Sequence, residues 1–211
     1  MEDDASRLAP MENLLPLFPD LGEAGALEGD PSCFARHGSG RSRKKKAPTA
    51  AILDSQSVRT ASQPGLRGFD AGKKITGRKR HLLVDTDGHI LSVKVTPADV
   101  QDRDGALLLF PSLAKTFGWL KLIWADGGYT GAPVHAAAGI KRHRKIKLEI
   151  VKRSDDVKGF KILPKRWIIE RTFGWLVQSR RLVRDYEVKM EHSEALIYLS
   201  MGKRMLAKIA V

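Results

Sequence analysis

An α/β protein with a mixed sheet is the fold class this sequence predicts, and three observations predict it. Two short apolar runs, Ala50 to Val58 and Leu120 to Ala125, read as strands buried on both faces at their starts and followed by acids. Asp87-Gly88 lies between the apolar stretches HLLV and ILSVKV, the strongest short-range signal for an antiparallel hairpin. Segments of helical period stand between and after these runs, so parallel and antiparallel pairing must share one sheet.

Taken in order, the first strand is AAILDSQSV, which turns polar from Asp54 onward. The hairpin spans Lys79 to Val95. Asp102 to Ala114 places Ala106, Leu107, Leu109, Phe110 and Leu113 in helical register behind an acidic opening that suits a helix N-terminus. LKLIWA, Leu120 to Ala125, ends in Asp126 and Gly127-Gly128. Pro133 to Ala138 reads as a short helix and Lys147 to Lys152 as a further strand. A long helix is expected from Lys165 to about Arg181. A last one should run from Ser193 to Ile209, with Ser193 as N-cap and Ala195, Leu196, Leu199, Leu206 and Ile209 on its apolar face.

The chain has 211 residues, enough for one domain with a core and a small appendage. Its formal net charge of +13 is unevenly spread: residues 1 to 40 hold Arg7 and Arg36 against eight acids, a net of −6, which leaves +19 for the remainder. A surplus of that size points to a polyanionic partner, nucleic acid first, because neutralising phosphates releases counterions. Residues 1–46, with scattered Pro and Gly and the basic run RSRKKK, are expected to be poorly ordered, and 47–211 to form the folded domain. The single cysteine, Cys33, excludes an internal disulfide framework and a multi-cysteine zinc site. No apolar run is long enough to span a membrane and the N-terminus is acidic, so a soluble cytoplasmic protein is expected.

Asp54 and Asp126 each follow an apolar run. If those strands are parallel neighbours, both carboxylates meet outside the carboxyl edge of the sheet, where open α/β sheets bind ligands. Clustered carboxylates raise one another's pKa unless a cation neutralises them, and a hard divalent metal held by oxygen ligands answers that need. Glu170, mid-helix in RWIIERTFGW with Arg166 one turn before it, is the third acid. Each acid alone is equally compatible with an ordinary turn residue or, for Glu170, a surface pair with Arg166.

Other chemistries fit less well. GKKITGRK, Gly72 to Lys79, has P-loop-like glycine spacing but lacks the Lys-Ser/Thr ending and precedes a strand instead of a helix. The histidines, including His81, His135 and His143, show no paired metal-ligand spacing and read as solvated or phosphate-adjacent. Lys73, Lys74, Arg78, Lys79 and Arg80 before the hairpin, Lys141 to Lys147, and Arg180 with Arg181 could line a phosphate-tracking channel. Trp119, Trp124, Trp167 and Trp175 lie in apolar stretches and suit core packing better than base stacking, Trp167 least.

The blocks ILDSQSVRT, DAGKKITGRKRHLLVDTDG, VTPADVQDRDGA, WADGGYTG and RWIIERTFGWLVQSRRLVRDYE closely resemble insertion-sequence transposases of the insertion sequence five type, over about residues 47 to 210. The resemblance implies an RNase H-like fold with an acidic triad that binds Mg2+, with Mn2+ as substitute, cuts double-stranded DNA at the element ends and joins them to a target. Asp54 matches the first acid, Asp126 the second and Glu170 the third. In related families the third acid sits in a Tyr, Arg, Glu, Lys signature; Arg166 fits the arginine, Leu163 and Val177 occupy the tyrosine and lysine positions, and Arg180 or Arg181 could substitute in DNA contact. Arg166 thus joins the DNA-binding candidates.

A homo-oligomer is implied for the active complex. Residues 1–46 resemble nothing in the family, so a second reading frame or a truncated copy is expected, with an upstream reading-frame product as a possible partner. The alternative to an active transposase is an end-blind or inactive fragment acting as a basic DNA-binding protein or with that partner.

Overall fold

The computed structural model describes residues 49–62, 65–131, 134–135, 146–151 and 165–209. The expectations for residues 1–46, Lys141 to Lys145 with His143, Leu163 and most of Pro133 to Ala138 lie outside them; of that last segment only Val134 and His135 are described, and both are helical.

Six strands form one sheet: β1 Ala50–Arg59, β2 Gly68–Asp70, β3 Ile75–Asp85, β4 Ile90–Pro97, β5 Leu122–Ala125 and β6 Lys147–Ile150. β3 pairs antiparallel with β1 on one side and with β2 and β4 on the other, while β5 pairs parallel with β1 and β6 parallel with β5. β1 is thus central, antiparallel to the hairpin strand β3 on one side and parallel to β5, with β6 beyond it, on the other. This is the mixed α/β arrangement that the sequence predicts.

Strand side chains alternate between faces, so β1 sends Ala51 and Leu53 to one core and Ile52 to the other. The first core is covered by helix α1, Asp102–Thr116, through Ala106, Leu109, Phe110 and Leu113, as its helical period predicts. The second is covered by α2, Arg166–Val177, through Ile169, Phe173 and Leu176, and by α3, Met190–Ile209, through Ile197, Met201 and Met205. No described helix is long and apolar enough to cross a membrane.

Several boundaries differ from expectation. β1 ends at Arg59, one residue past the expected Val58, and β3 is paired with it to that point. β3 begins at Ile75, β2 was not anticipated, and the expected long helix stops at Val177, with a 3-10 turn at Arg180–Leu182.

α3 starts earlier than Ser193, whose buried hydroxyl bonds Asp185 at 2.8 and 2.7 Å instead of capping a helix. Its buried stripe is therefore Ser193, Ile197, Met201 and Met205, leaving Leu199 and Leu206 exposed. Trp119, Trp124 and Trp175 pack against the cores, and Trp167 is exposed, as expected.

Candidate active site

Asp54 shares the parity of Ile52, which turns it to the α2 face of the sheet. The parallel register of β1 with β5 ends at Ile52 and Trp124, and so Asp54 and Asp126 both lie just past the parallel pairing. Asp54 is nonetheless mid-strand, not at a strand end, because only its β5 neighbour stops there. Asp126 opens a 3-10 turn, Gly127–Tyr129, and its Oδ1 accepts from Gly128 N at 2.9 Å.

The two carboxylates meet on one guanidinium. Arg166 Nη2 lies 3.5 Å from Asp54 Oδ2 and 3.6 Å from Asp126 Oδ2. Ser55 N donates to Asp54 Oδ1 at 2.8 Å. Burial pushes the Asp54 carboxyl up to about 6, opposed by the Ser55 hydrogen bond and the Arg166 charge and reinforced by Asp126. A carboxylate held in so costly an environment is one whose charged form a cation stabilises.

Glu170 stands one helical turn beyond Arg166 on α2 and is exposed, without an ion pair to any described residue. Asp54, Asp126 and Glu170 are not gathered into a set with ligand atoms within 4.8 Å of one another. Among the described residues only Asp85, Asp87 and His89 are.

That second cluster has a structural explanation. Asp85 Oδ1 accepts from the amides of Asp87 and His89 at 2.8 and 2.9 Å, and Oδ2 lies 3.0 Å from His89 Nδ1. Arg171 and Thr172 of α2 bond the carbonyls of Asp87 and Gly88. These groups lock the β3–β4 turn to α2. Asp85 pairs with Ala51, which precedes Asp54 on β1 and lies within its parallel segment.

The proposed phosphate track divides in two. Lys73, Lys74, Arg180 and Arg181 are exposed, although Arg181 pairs with Glu187 at 2.7 Å. Lys73 is close enough for its charge to act on Asp54.

Arg78, Lys79 and Arg80, by contrast, are buried and already engaged, so they do not line an outer surface. Arg78 bonds Leu66 O, Glu187 O and Val188 O and pairs with Asp185 at 3.3 Å, tying β3 to the segment before α3. Arg80 Nη1 donates to Leu182 O. Their charges misled the sequence reading because period alone does not show which strand faces are covered. His81 is likewise fully buried instead of solvated, its Nε2 2.9 Å from Thr96 Oγ1. Arg166, partly exposed, lies against the two aspartates.

A polar network on the α1 face, directly behind Asp54, was missed. Ser55 Oγ donates to Asp102 Oδ1 at 2.7 Å, and Lys79 Nζ lies 3.1 Å from the same oxygen. Burial alone would push Asp102 up, but the Ser55 and Lys79 bonds hold it below the usual carboxylate value. Asp102 and Tyr129 both fall in sequence blocks that carried the resemblance, which was the available signal.

A family model for the Transposase DDE domain matches residues 45–203. The chain belongs to that family. The transposase domain is also 29% identical over 130 residues to the putative transposase for insertion sequence element IS402 of Burkholderia cepacia. The match covers 58% of this chain and 60% of that protein, so it spans under two thirds of the relative's length.

Among solved structures, a chain from the cryoEM structure of the simian T-cell lymphotropic virus intasome in complex with PP2A regulatory subunit B56 gamma aligns at a TM-score of 0.48 and 13% identity. The alignment covers 76% of this chain and 51% of that one. DDE transposases generally use divalent metal ions. The Asp54 and Asp126 carboxylates are oxygen donors of the chemical type such ions take, and here both lie against the Arg166 guanidinium.

Proposed function

We propose that this chain is the catalytic part of an insertion-sequence transposase, of the insertion sequence five type that its sequence blocks resemble. The observation that carries the reading is the convergence of Asp54 and Asp126, from parallel neighbouring strands, on Arg166 of the helix that also bears Glu170. Asp54, Asp126 and Glu170 are the proposed metal-holding and catalytic acids, and Mg2+, with Mn2+ as substitute, is the proposed ion. When bound, the ion supplies Lewis-acid activation of the attacking oxygen and charge stabilisation of the phosphodiester being cleaved.

The protein's own part is to hold the acids ready. Ser55 N fixes one oxygen of Asp54, while Arg166 balances charge on both aspartates and can swing toward a phosphate, since a guanidinium matches either anion. Exposed Lys73, Lys74, Arg180 and Arg181 are the proposed contacts to double-stranded DNA, at element ends and target, and an oligomer is the proposed working form.

The test is Mg2+-dependent nicking and strand transfer on DNA carrying the terminal sequences that flank the gene. Wild type is compared with Asp54→Ala, Asp126→Ala and Glu170→Ala. Each substitution is expected to reduce both reactions to background while DNA binding persists. Binding without cleavage at any salt, unchanged by all three substitutions, would instead make the chain a DNA-binding protein without chemistry.

A further inference from the structure

We propose that Asp102 is a positioning residue of the Asp54 and Asp126 site, a fourth carboxylate that acts with Ser55 and Tyr129 to set how firmly a divalent cation is held. This rests on the metal-holding role proposed above for Asp54 and Asp126. Ser55 is bonded to two carboxylates at once: its amide to Asp54 Oδ1 at 2.8 Å and its hydroxyl to Asp102 Oδ1 at 2.7 Å. A movement of Asp102 is therefore felt by Asp54 through one residue. Lys79 Nζ, 3.1 Å from Asp102 Oδ1 and bonded to Val100 O at 2.8 Å, holds that same oxygen.

Asp102 also reaches toward Asp126. A Cβ placed on Gly128 would stand 3.1 Å from Asp126 Oδ1 and 3.8 Å from Asp102 Oδ2, so both carboxylates border the same glycine. A side chain there would crowd Asp126 and touch Asp102.

The independent observation is Tyr129. It is fully buried, and its hydroxyl has no hydrogen-bond partner of good geometry, although Ser55 is near. Burial first, and then the charges of Asp54, Asp102 and Asp126, hold that hydroxyl protonated well above the ordinary phenol range. A buried, unsatisfied hydroxyl is costly and calls for an explanation. It lies near enough to Asp54, Asp102 and Asp126 for their charges to act on it, which makes it a buried proton donor beside the acids. A helix-terminus role for Asp102 accounts for its position at the start of α1 but not for Ser55, Gly128 and Tyr129 together.

The experiment titrates the full chain with Mn2+ alone, following free Mn2+ by electron paramagnetic resonance, and records thermal unfolding without metal in parallel. Asp102→Asn is expected to weaken Mn2+ binding on the order of tenfold, the scale of a lost supporting partner, and Asp102→Glu to restore part of it. Tyr129→Phe should weaken binding in the same direction. Asp104→Asn, an exposed acid on the same helix turn, should leave it unchanged.

Wild-type Mn2+ affinity in Asp102→Asn, even with a lowered melting temperature, overturns the proposal and leaves Asp102 a helix-terminus acid. If Asp102→Asn does not fold, wild-type affinity in Tyr129→Phe overturns it instead. Wild-type affinity in Asp54→Asn would reject the underlying metal site itself, a separate outcome.

Discussion

His81 is a buried ring in a basic segment, and its environment makes a prediction about acid. Burial, its largest influence, pulls its pKa from 6.5 down to about 4, with Asp102 opposing and Lys79 assisting. The fold therefore favours neutral His81, and this stability is fully present above pH 6.5 and lost as pH falls from 6.5 toward 4. The size is about 3 kcal/mol for a shift of this magnitude. Denaturant unfolding between pH 7.5 and 4.5 should show wild type losing about 2 to 3 kcal/mol more than His81→Gln. Parallel pH dependences would refute the assignment. Nothing in the residues around His81 announced this, because a histidine between Arg80 and Leu82 reads the same whether α1 covers it or water does.

At the scale of elements, α1 lies on β3 closely enough that one glycine decides the fit. A Cβ on Gly105 would stand 2.1 to 2.4 Å from three atoms of the His81 ring, nearer than non-bonded atoms approach. Gly105→Ala is expected to destabilise the domain by about 1 to 3 kcal/mol, the usual cost of overpacking, despite alanine's better helix propensity. Chemical denaturation checks this, and a stabilised variant would mean that α1 stands farther from β3 than described.

The elements also show where sequence reasoning held. The hairpin, α1 and the two parallel strands were legible because turn chemistry and apolar period are local. The partner that holds the polar half of β1 was not, since it is a strand distant in sequence, Leu82 facing Asp54. The early start of α3 was also hidden, because the buried pair of Arg78 with Asp185, not a capping residue, organises the chain before it.

For the whole molecule, the charge of +19 over residues 41 to 211 is only partly available to a partner, since Arg78, Lys79 and Arg80 are inside. DNA binding should weaken with salt, and the double substitution Lys73→Ala, Lys74→Ala should lower the slope of log affinity against log salt by about 2 on duplex DNA. Fluorescence anisotropy across a salt series measures it. An unchanged slope would remove that loop from the proposed contacts.

By itself, the sequence determined the α/β class, the order of the main elements and the family, because period, turn residues and long ordered blocks are properties of the chain read locally. It also singled out Asp54, Asp126 and Glu170. Only the tertiary structure decided that Asp54 and Asp126 share the guanidinium of Arg166, that three of the basic residues are structural, and that Asp102 and Tyr129 stand behind the acids. Burial and charge proximity arise between segments far apart in sequence, and a one-dimensional pattern carries no record of which faces they cover.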